Sequence, residues 1–499
     1  MLFISWQFVV FLVIVLGGLR VMPTRTSRQG LLLVASAIFY GSHTPWHLLI
    51  LAAPSLIDYA CSVRIEDSDD PRTRKRWLIL SLVSNLGLLG YFKYADFFAD
   101  SIGALIGVET IPLGLALPLG ISFFTFKTLS YTIDVYRREI PACRSLWRYA
   151  MFVSYFPELV AGPIVRASVF LPQMSRKLEP SLDRAGIGLQ LILLGVTKKL
   201  FVADRLATLV NPVFAAPHAY SQSTVASAVV AYSLQIYCDF SGYSDIAIGV
   251  SRIIGFDLPE NFNMPYIATS ITEFWRRWHI TLSQWLRDYL YIPLGGNRKG
   301  RRRTYINLML TMLLGGLWHG AAWTFVVWGL MHGVGLAVHK VWTEKVSRGR
   351  RPFNGLVGWM MTYAFVCTAW VFFRASDFSI AMLMLRKIVG LEPGGATWVY
   401  LPFLLMLPLV VAAHAAGWWI ASQEKKSGTE AENWVPANGL AERVYSDSPG
   451  IAVRPHRAAG LYMLLPRPGF VTGFVLTVWL IGLFLFSPVH TRPFIYFQF

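Results

Sequence analysis

Charged residues are scarce in this chain of 499 residues, where they make up 15% of the composition while apolar residues make up 55%. A soluble globular protein carries about 25% charged residues, which cover its water-facing surface. The mean hydropathy, +0.48, is correspondingly high. The shortage of charge excludes a water-soluble globular domain and favours a protein embedded in a membrane.

Other features are missing as well. The four cysteines have no spacing typical of a zinc site or a disulfide framework, so we expect neither a metal nor disulfides. No Gly-rich phosphate loop and no internal repeat are visible, and the missing repeat argues against transporter folds built from duplicated halves. The first apolar block has no basic segment before it and no small-residue cleavage site after it. We therefore expect it to remain as the first helix.

Apolar residues are collected in blocks of about 20, the length a helix needs to cross a hydrocarbon core of ~30 Å. Gly30–Cys61 is too long for one span, and its centre at Gly41–Pro45 predicts a turn between two short helices. With irregular stretches near 149–172 and 265–297, the sequence predicts an all-α polytopic membrane protein with roughly eleven membrane elements. The other predicted spans are Leu2–Leu19, Trp77–Tyr94, Leu113–Ile133, Ala185–Val202, Val225–Val250, Leu308–His339, Leu356–Phe373, Tyr400–Ile420 and Gly469–Phe486.

The net charge of +17 would suggest a nucleic-acid partner in a soluble protein. Here the basic residues cluster in short loops at 20–28, 72–76 and 137–148, and two predicted spans separate each cluster from the next. Asp96–Pro112, between the last two clusters, contains no lysine or arginine. This alternation follows the positive-inside rule, so we expect an outside N-terminus, basic loops in the cytoplasm, the lipid bilayer as partner and no nucleic acid.

Tyr155–Arg166 is the first of three stretches that do not read as simple spans. Pro157 and Pro163 each remove a helical hydrogen bond, and Glu158 adds an acid. Non-helical backbone at membrane depth persists only where it is buried in protein or lines a cavity. The stretch is therefore either a re-entrant segment, which we favour, or a loop at the surface.

Ala231–Gly249, the second stretch, places Asp239 and Asp245 inside a predicted span. Carboxylates at that depth are costly unless they face the protein interior. A structural role, in which they accept hydrogen bonds from backbone or from the arginines of the third stretch, is favoured over a direct catalytic role.

The third stretch, Pro265–Arg303, interleaves tryptophan with Arg276 and Arg277 at helical spacing, which predicts a helix lying in the headgroup layer. That interpretation leaves His279 unexplained. Arg298 and Lys299 open a basic run that extends to Arg303. The run could hold donor phosphates or could anchor the inside face of the protein, and both interpretations stay open.

His319 is the strongest candidate for chemistry. It lies among glycines and alanines, between Trp318 and Trp323, where a backbone or a substrate can approach closely. A buried imidazole there would stay neutral because desolvation disfavours its charged form, and it could take a proton from a hydroxyl. The alternative is a packed histidine that hydrogen-bonds across helices, and the residues alone leave the two balanced.

His332 and His339 are expected to have structural roles. On one unbroken helix His332 would lie 13 residues after His319, about 20 Å along the axis and nearly on the opposite face. This geometry argues against a histidine dyad.

Seven stretches, taken together, resemble the membrane-bound O-acyltransferase family, and most closely its bacterial alginate O-acetyltransferase-like branch. They follow the family's order across residues 90–340 of a single membrane-embedded domain, 1–499. The polar segment 422–466, predicted to be a loop between the last two spans, matches no motif. The seven stretches are Tyr91–Tyr94, Pro118–Phe126, Ala161–Pro163, Gln235–Asp245, Phe274–Ser283, Tyr291–Asn297 and Leu317–Gly320.

The resemblance implies a ring of helices around a central tunnel in which donor and acceptor meet. The family's invariant histidine falls on His319, which makes a catalytic role the favoured one, and its second conserved histidine falls on His279, which is expected to assist catalysis. Candidates for lining the tunnel or binding the donor are Asp239, Asp245, Arg276, Arg277, Trp318, Trp323, Arg298 and Lys299. The resemblance also implies acetyl transfer from a cytoplasmic thioester, acetyl-CoA or an acylated carrier, with no tightly bound cofactor. The acetyl group would be passed outward across the bacterial inner membrane and attached to an exported polysaccharide such as alginate. A separate periplasmic acetyltransferase would be the partner.

Two alternatives remain at this point. Within enzymes, the acceptor could be a lipid, teichoic acid or protein hydroxyl, because similar relatives pass D-alanine toward teichoic acid. From another class, the chain could be a transporter or flippase of acyl or sugar intermediates, although only one clear helix break is visible where paired breaks are typical.

Overall fold

The structure is a computed structural model that describes residues 1, 3–42, 44–159, 161–175, 181–346, 355–426, 470–486, 492 and 494–495. These residues are helical almost throughout, and the β pairing found among them is one isolated bridge between Tyr220 and Ala396. The all-α prediction is confirmed.

The helices follow one another closely along the chain, several of them through a π-helical turn. The α-helices are α1 (Trp6–Val21), α2 (Arg25–Gly41), α3 (His47–Asp67), α4 (Pro71–Leu89), α5 (Ala95–Ile106), α6 (Ile121–Tyr136), α7 (Leu146–Ser154), α8 (Phe156–Leu159), α9 (Ala167–Met174), α10 (Leu182–Thr197), α11 (Asp204–Ala215), α12 (Gln222–Ile254), α13 (Ile271–Arg277), α14 (Ile280–Leu286), α15 (Gly300–His319), α16 (Trp323–Val341), α17 (Gly355–Arg374), α18 (Phe378–Ile388), α19 (Leu401–Lys426) and α20 (Phe470–Phe486). The π-helical turns are Gly90–Tyr94, Lys198–Ala203, Arg287–Tyr291 and Trp342–Val346, and the 3₁₀ turns are Pro217–Ala219 and Pro265–Ile267.

Six helical stretches of the described chain are long and apolar enough to cross a membrane, and Trp6–Val21 and Val471–Leu483 are shorter apolar helices. The chain is therefore a multi-pass membrane protein, as predicted. The ring of helices around a tunnel stays a prediction. The six stretches are His47–Asp67, Pro71–Ile106, Leu182–Ala215, Trp323–Val346, Gly355–Arg374 and Leu401–Trp419.

The chain divides into two compact units. The first unit comprises Met1–Ile192, Ser244–Pro259 and Ala431–Gly473, and the second comprises Leu193–Tyr243, Glu260–Glu430 and Phe474–Phe499. The chain passes from one unit to the other within α10, α12 and α20.

In the first unit, the predicted division of Gly30–Cys61 is confirmed, because α2 ends at Gly41 and α3 begins at His47. The predicted span Leu113–Ile133 is wrong in its first part. Helix α6 begins only at Ile121, after Gly120 adopts a left-handed conformation with φ 72° that favours glycine.

Within the stretch Tyr155–Arg166, Phe156–Leu159 form the short helix α8, and 155–159 and 161–165 are buried. The Nζ atom of Lys127 lies 2.7 Å from a carboxylate oxygen of Glu158 and donates to the carbonyl oxygen of Phe152 at 2.6 Å. Both charged side chains are almost completely inaccessible to solvent. A loop at the surface is therefore wrong for this stretch; its acid is neutralised inside the first unit.

In the second unit, the predicted single span Leu308–His339 is wrong. Helix α15 ends at His319, Gly320 is extended, and α16 begins at Trp323. The two helices pack backbone to backbone: a Cβ atom on Gly316 would lie 2.3 Å from the carbonyl oxygen of Phe325. One on Gly329 would lie 2.4 Å from that of Met312. Glycines that allow this approach make a folded-back helical pair possible where the apolar run alone predicts one helix.

The last predicted polar segment is only partly described. Helix α19 extends to Lys426, so the first residues of 422–466 belong to this helix. The remainder, 427–466, lies outside the described residues.

Gly329→Ala should destabilise the folded protein, because the added methyl group meets backbone atoms of α15 that cannot rotate away. We expect a penalty of about 1–3 kcal/mol, typical of overpacking, and a lower melting temperature of the purified full chain in detergent. Gly17→Ala is the matched control, since its Cβ atom would meet nothing within 4 Å. Equal melting temperatures for the two variants would contradict close packing of α15 on α16.

Candidate active site

His319 is the last residue of α15 and is buried in the second unit. Its ring centroid lies 4.9 Å from that of Trp318, 5.1 Å from that of Trp328 on α16, and 5.3 Å from that of Phe373 on α17. All three rings meet the imidazole edge to face. His319 is thus packed against aromatic rings from three helices and is 5% exposed.

His279 lies between α13 and α14, and it is buried as well. Its backbone has φ 39° and ψ 57°, a left-handed conformation that costs a residue with a Cβ atom roughly 1–2 kcal/mol. The backbone N–H group of the next residue, Ile280, donates to the carbonyl oxygen of Asn261 at 2.9 Å, which helps to hold the turn. Strain of this kind is frequent at functional sites.

The region around His279 corrects the predicted headgroup helix. Pro265–Arg303 is divided among α13, α14, a π-helical turn and the start of α15. Trp275, Trp278 and Trp285 are buried. The prediction is wrong because these tryptophans pack against other rings of the protein; the ring centroid of Trp278, for example, lies 5.0 Å from that of Trp370.

Trp318 contacts both candidate histidines. Its ring centroid lies 6.3 Å from that of His279 and 4.9 Å from that of His319. The structure therefore brings two histidines that are 40 residues apart in the sequence into one aromatic cluster. Burial, the sole cause, lowers the pKa of His279 well below its usual value, so this imidazole is neutral at pH 7.

His332 lies nearer to this cluster than the sequence predicts. Because the helix is broken at Gly320, His319 and His332 both pack on Trp328, with ring centroids at 5.1 and 4.7 Å. His332 accepts a hydrogen bond at Nδ1 from the indole N–H group of Trp275 at 3.3 Å. His339 is paired with the Thr272 hydroxyl at 2.9 Å. Both contacts fit the predicted structural roles.

Asp239 belongs to a buried ion cluster. Lys199 Nζ lies 2.7 Å from a carboxylate oxygen of Asp239 and 2.9 Å from one of Asp204. The backbone N–H group of Ile495 donates to the other Asp239 oxygen at 2.6 Å. The expected backbone donor is present, but the cation is a lysine and not one of the predicted arginines. Asp245 is buried and belongs to the first unit.

Arg276, Arg277 and Trp323 face other partners or solvent. Arg277 pairs with Glu273 at 2.9 Å and donates to the carbonyl oxygen of Asn263 at 3.1 Å, so it holds its own segment together. Arg276 is exposed, and Trp323 is 60% exposed.

Arg298 and Lys299 are exposed just before α15, and the basic run continues into its first turn. His319 is the last of the 20 residues of this helix. At 1.5 Å per residue the two ends of α15 are about 28 Å apart. The structure therefore separates the basic run from the histidines.

Three residues that the sequence analysis did not single out contact predicted site residues. Asn261 is hydrogen-bonded to His279 at 3.0 Å, and Phe240 packs edge to face on its ring at 4.7 Å. Lys199 is the third, and a lysine inside the predicted span Ala185–Val202 is a signal that could have been used, because a charge in an apolar block needs an interior partner. Nothing in the sequence marks Asn261.

No three histidine, cysteine or acidic side chains come together as a metal site within the part of the chain that the structure describes. The site is a pair of buried histidines in an aromatic cluster of a multi-pass helical membrane protein. The sequence profile of the membrane-bound O-acyltransferase (MBOAT) family matches residues 33–379. The chain belongs to this family.

Named relatives are similar over shares of the chain that range from 46% to 100%. The probable alginate O-acetylase AlgI of Pseudomonas aeruginosa is 38% identical, covering 100% of both chains. The peptidoglycan O-acetyltransferase of Helicobacter pylori is 39% identical over 72% of this chain and 73% of its own. The teichoic acid D-alanyltransferase of Streptococcus thermophilus is 30% identical over 46% of this chain and 58% of its own. The protein is an O-acyltransferase.

Lys199→Met should destabilise the protein strongly, because it leaves Asp204 and Asp239 buried without a cation. Removing one member of a buried ion pair costs about 3–5 kcal/mol. We expect a clearly lower melting temperature of the full chain in detergent. Adding Asp204→Asn and Asp239→Asn to Lys199→Met should restore much of the loss, since no uncompensated charge then remains.

Lys340→Met is the matched control for Lys199→Met. Lys340 pairs with Glu344 at 3.0 Å, but both side chains are about one-third exposed. We expect little change, because partly exposed ion pairs contribute little. A melting temperature for Lys199→Met that equals that of Lys340→Met would contradict the role of the buried cluster.

Proposed function

We propose that this enzyme moves an acetyl group from a cytoplasmic thioester donor to a hydroxyl group, for the O-acetylation of an exported polysaccharide such as alginate. The observation that carries the proposal is the enclosed imidazole of His319, in a chain that is similar over its whole length to a probable alginate O-acetylase. The similarity to a peptidoglycan O-acetyltransferase supports the acetyl group as the cargo.

His319 acts as the general base in this proposal. Its neutral imidazole takes the proton of the acceptor hydroxyl while the hydroxyl oxygen attacks the carbonyl carbon of the thioester. The tetrahedral intermediate collapses, the carbon–sulfur bond breaks, and the imidazolium returns the proton to the departing thiolate. A positioned base of this kind contributes about 10²–10⁴-fold to the rate. The rings of Trp328 and Phe373 keep water away from the thioester, which limits its hydrolysis.

The donor in this proposal is acetyl-CoA or an acylated carrier, used as a substrate and not as a bound cofactor. Arg298 and Lys299 are exposed at one end of α15, about 28 Å from His319 at the other. We propose that they attract an anionic donor to the cytoplasmic face as it approaches the protein. They are too far from His319 to act on the reacting carbonyl group.

We place the enzyme in the bacterial inner membrane with its basic loops in the cytoplasm. A donor on that side and a polymer on the other require the acetyl group to cross the protein. A separate periplasmic acetyltransferase that completes attachment to the polymer is the partner proposed for this step.

A cell-wall polymer is the second candidate acceptor. Two of the relatives are named for peptidoglycan and for teichoic acid, and the first of them is about as identical to this chain as the alginate relative is, at 39% against 38%, but over 72% of the chain instead of all of it. Mass spectrometry of polymers from cells with and without the gene separates the candidates, because the acetyl group remains on the acceptor.

His319→Ala should abolish acetyl transfer in proteoliposomes that contain the full chain and acetyl-CoA, because no other group at this position can take the hydroxyl proton. Transfer should fall by at least about 10²-fold, while expression and melting temperature stay near those of the wild type. His218→Ala is the matched control, since His218 is exposed on the turn before α12. Transfer retained by His319→Ala would contradict the general-base role.

A further inference from the structure

Asn261 presents its side-chain oxygen to three hydrogen-bond donors. The oxygen Oδ1 lies 3.0 Å from Nδ1 of His279, 2.9 Å from the Thr281 hydroxyl and 3.4 Å from the Thr281 backbone nitrogen. A backbone N–H group can only donate, so the Asn261 atom that faces it must be an acceptor. This contact fixes the orientation of the amide, with its oxygen and not its NH₂ group toward His279.

The orientation of the amide determines the tautomer of His279. Facing an oxygen that can only accept, Nδ1 of the imidazole must carry the proton. In a neutral ring the other nitrogen, Nε2, then has a free lone pair. The ring is neutral because His279 is buried and no charged group contributes to the shift of its pKa.

Nε2 of His279 is buried and has no hydrogen-bond partner among the residues that the structure describes. The side chains that pack on this imidazole are rings: Phe240 edge to face at 4.7 Å, Phe262 at 6.4 Å and Trp318 at 6.3 Å. A buried acceptor without a partner destabilises the folded protein. The left-handed backbone of His279 is destabilising as well, so both the backbone conformation and the unpartnered Nε2 atom lower the stability of the folded protein.

We propose that Asn261 is a positioning residue that holds His279 with its proton on Nδ1, so that Nε2 accepts a hydrogen bond from a neutral O–H or N–H group of a bound substrate. The proposal rests on the proposed function and specifies how His279 takes part in it. In this tautomer Nε2 offers a lone pair and no proton. It therefore cannot stabilise the oxyanion of the reaction, and it repels carboxylate and phosphate groups.

Two substrate groups have the required chemistry. One is a hydroxyl of the acceptor sugar next to the hydroxyl that reacts at His319, and the other is an amide N–H group in the arm of the thioester donor. In both cases the hydrogen bond orients the substrate and no proton is transferred. A change in the KM of the acceptor alone would identify the sugar, and a change in the KM of acetyl-CoA alone would identify the arm.

The tautomer can be measured without activity. In full-length protein with ¹⁵N-labelled histidine, reconstituted in lipid bilayers, solid-state NMR distinguishes a protonated from an unprotonated ring nitrogen. The signals absent from His279→Gln belong to this residue. We expect a protonated Nδ1 and an unprotonated Nε2 in the wild type, and a loss of this pattern in Asn261→Leu. A protonated Nε2 in the wild type would overturn the proposal.

Asn261→Leu should lower kcat/KM for acetyl transfer by about 10- to 100-fold, because the ring then samples the tautomer whose Nε2 cannot accept, and the substrate donor is left without its hydrogen bond. Asn263→Leu is the matched control: Asn263 lies two residues away and uses backbone atoms to bond Arg277. Equal activities of the two variants, with a folded Asn261→Leu protein, would overturn the proposal. Transfer retained by His319→Ala would instead overturn the proposed function.

Asn261→Asp separates positioning from packing, because the two side chains have nearly the same shape. A carboxylate beside Nδ1 favours the imidazolium, so Nε2 becomes protonated at a higher pH than in the wild type. The acid side of the pH–activity profile should move up by about 1–3 pH units. The groups packed on His279 are uncharged rings, and the acid next to Phe240 in sequence, Asp239, is paired with Lys199. A loss of activity that is equal at every pH would show a packing role and overturn the proposal.

Discussion

Buried lysines in the described part of this apolar protein are held by partners that the protein itself supplies. Lys127 faces Glu158 in the first unit, and Lys199 faces Asp204 and Asp239 in the second. An ion without a partner in such surroundings would cost several kcal/mol, so each pair restricts which helices can be neighbours. The irregular elements follow from the same constraint: α8 with its proline is tolerated because Glu158 is neutralised there.

The fold class was predictable because the signal is local. The length and polarity of each apolar block decide whether a helix can cross a membrane, and no knowledge of its neighbours is needed. Helix ends were less predictable where glycine was involved. The run that contains Gly316, Gly320 and Gly329 has the composition of one long span, but close backbone contact between its two halves makes it a helical pair. A contact between residues distant in sequence cannot be read from composition. Because it was not known, the distance inferred between His319 and His332 was wrong.

The candidate site was predictable in its histidines and not in their surroundings. An ionisable residue within an apolar run is easily recognised in the sequence, which is why His319 was predicted. Asn261 lies in unremarkable sequence, and Phe240 lies in a family-like stretch that gives no sign of its partner. Their contacts arise only where a left-handed turn at His279 brings Nδ1 to an amide oxygen and the ring to Phe240. The tryptophans that alternate with arginines led to a wrong prediction, because here the sequence pattern was conspicuous but its meaning depended on contacts with other helices. Their spacing suits a headgroup helix, but Trp278 and Trp275 are anchored on rings from other helices.

The two polar arrangements of the second unit are joined through adjacent residues of α12. Asp239 faces Lys199 and the backbone N–H group of Ile495, while the next residue, Phe240, places its ring against His279 and against Phe494. A carboxylate beside His279 would favour its imidazolium, whereas an amide does not. The acid therefore faces the lysine and the amide faces the histidine, so no carboxylate adjoins the His279 imidazole. The proposed function depends on this division, since an imidazole that is already protonated can neither accept a substrate hydrogen bond nor serve as a base.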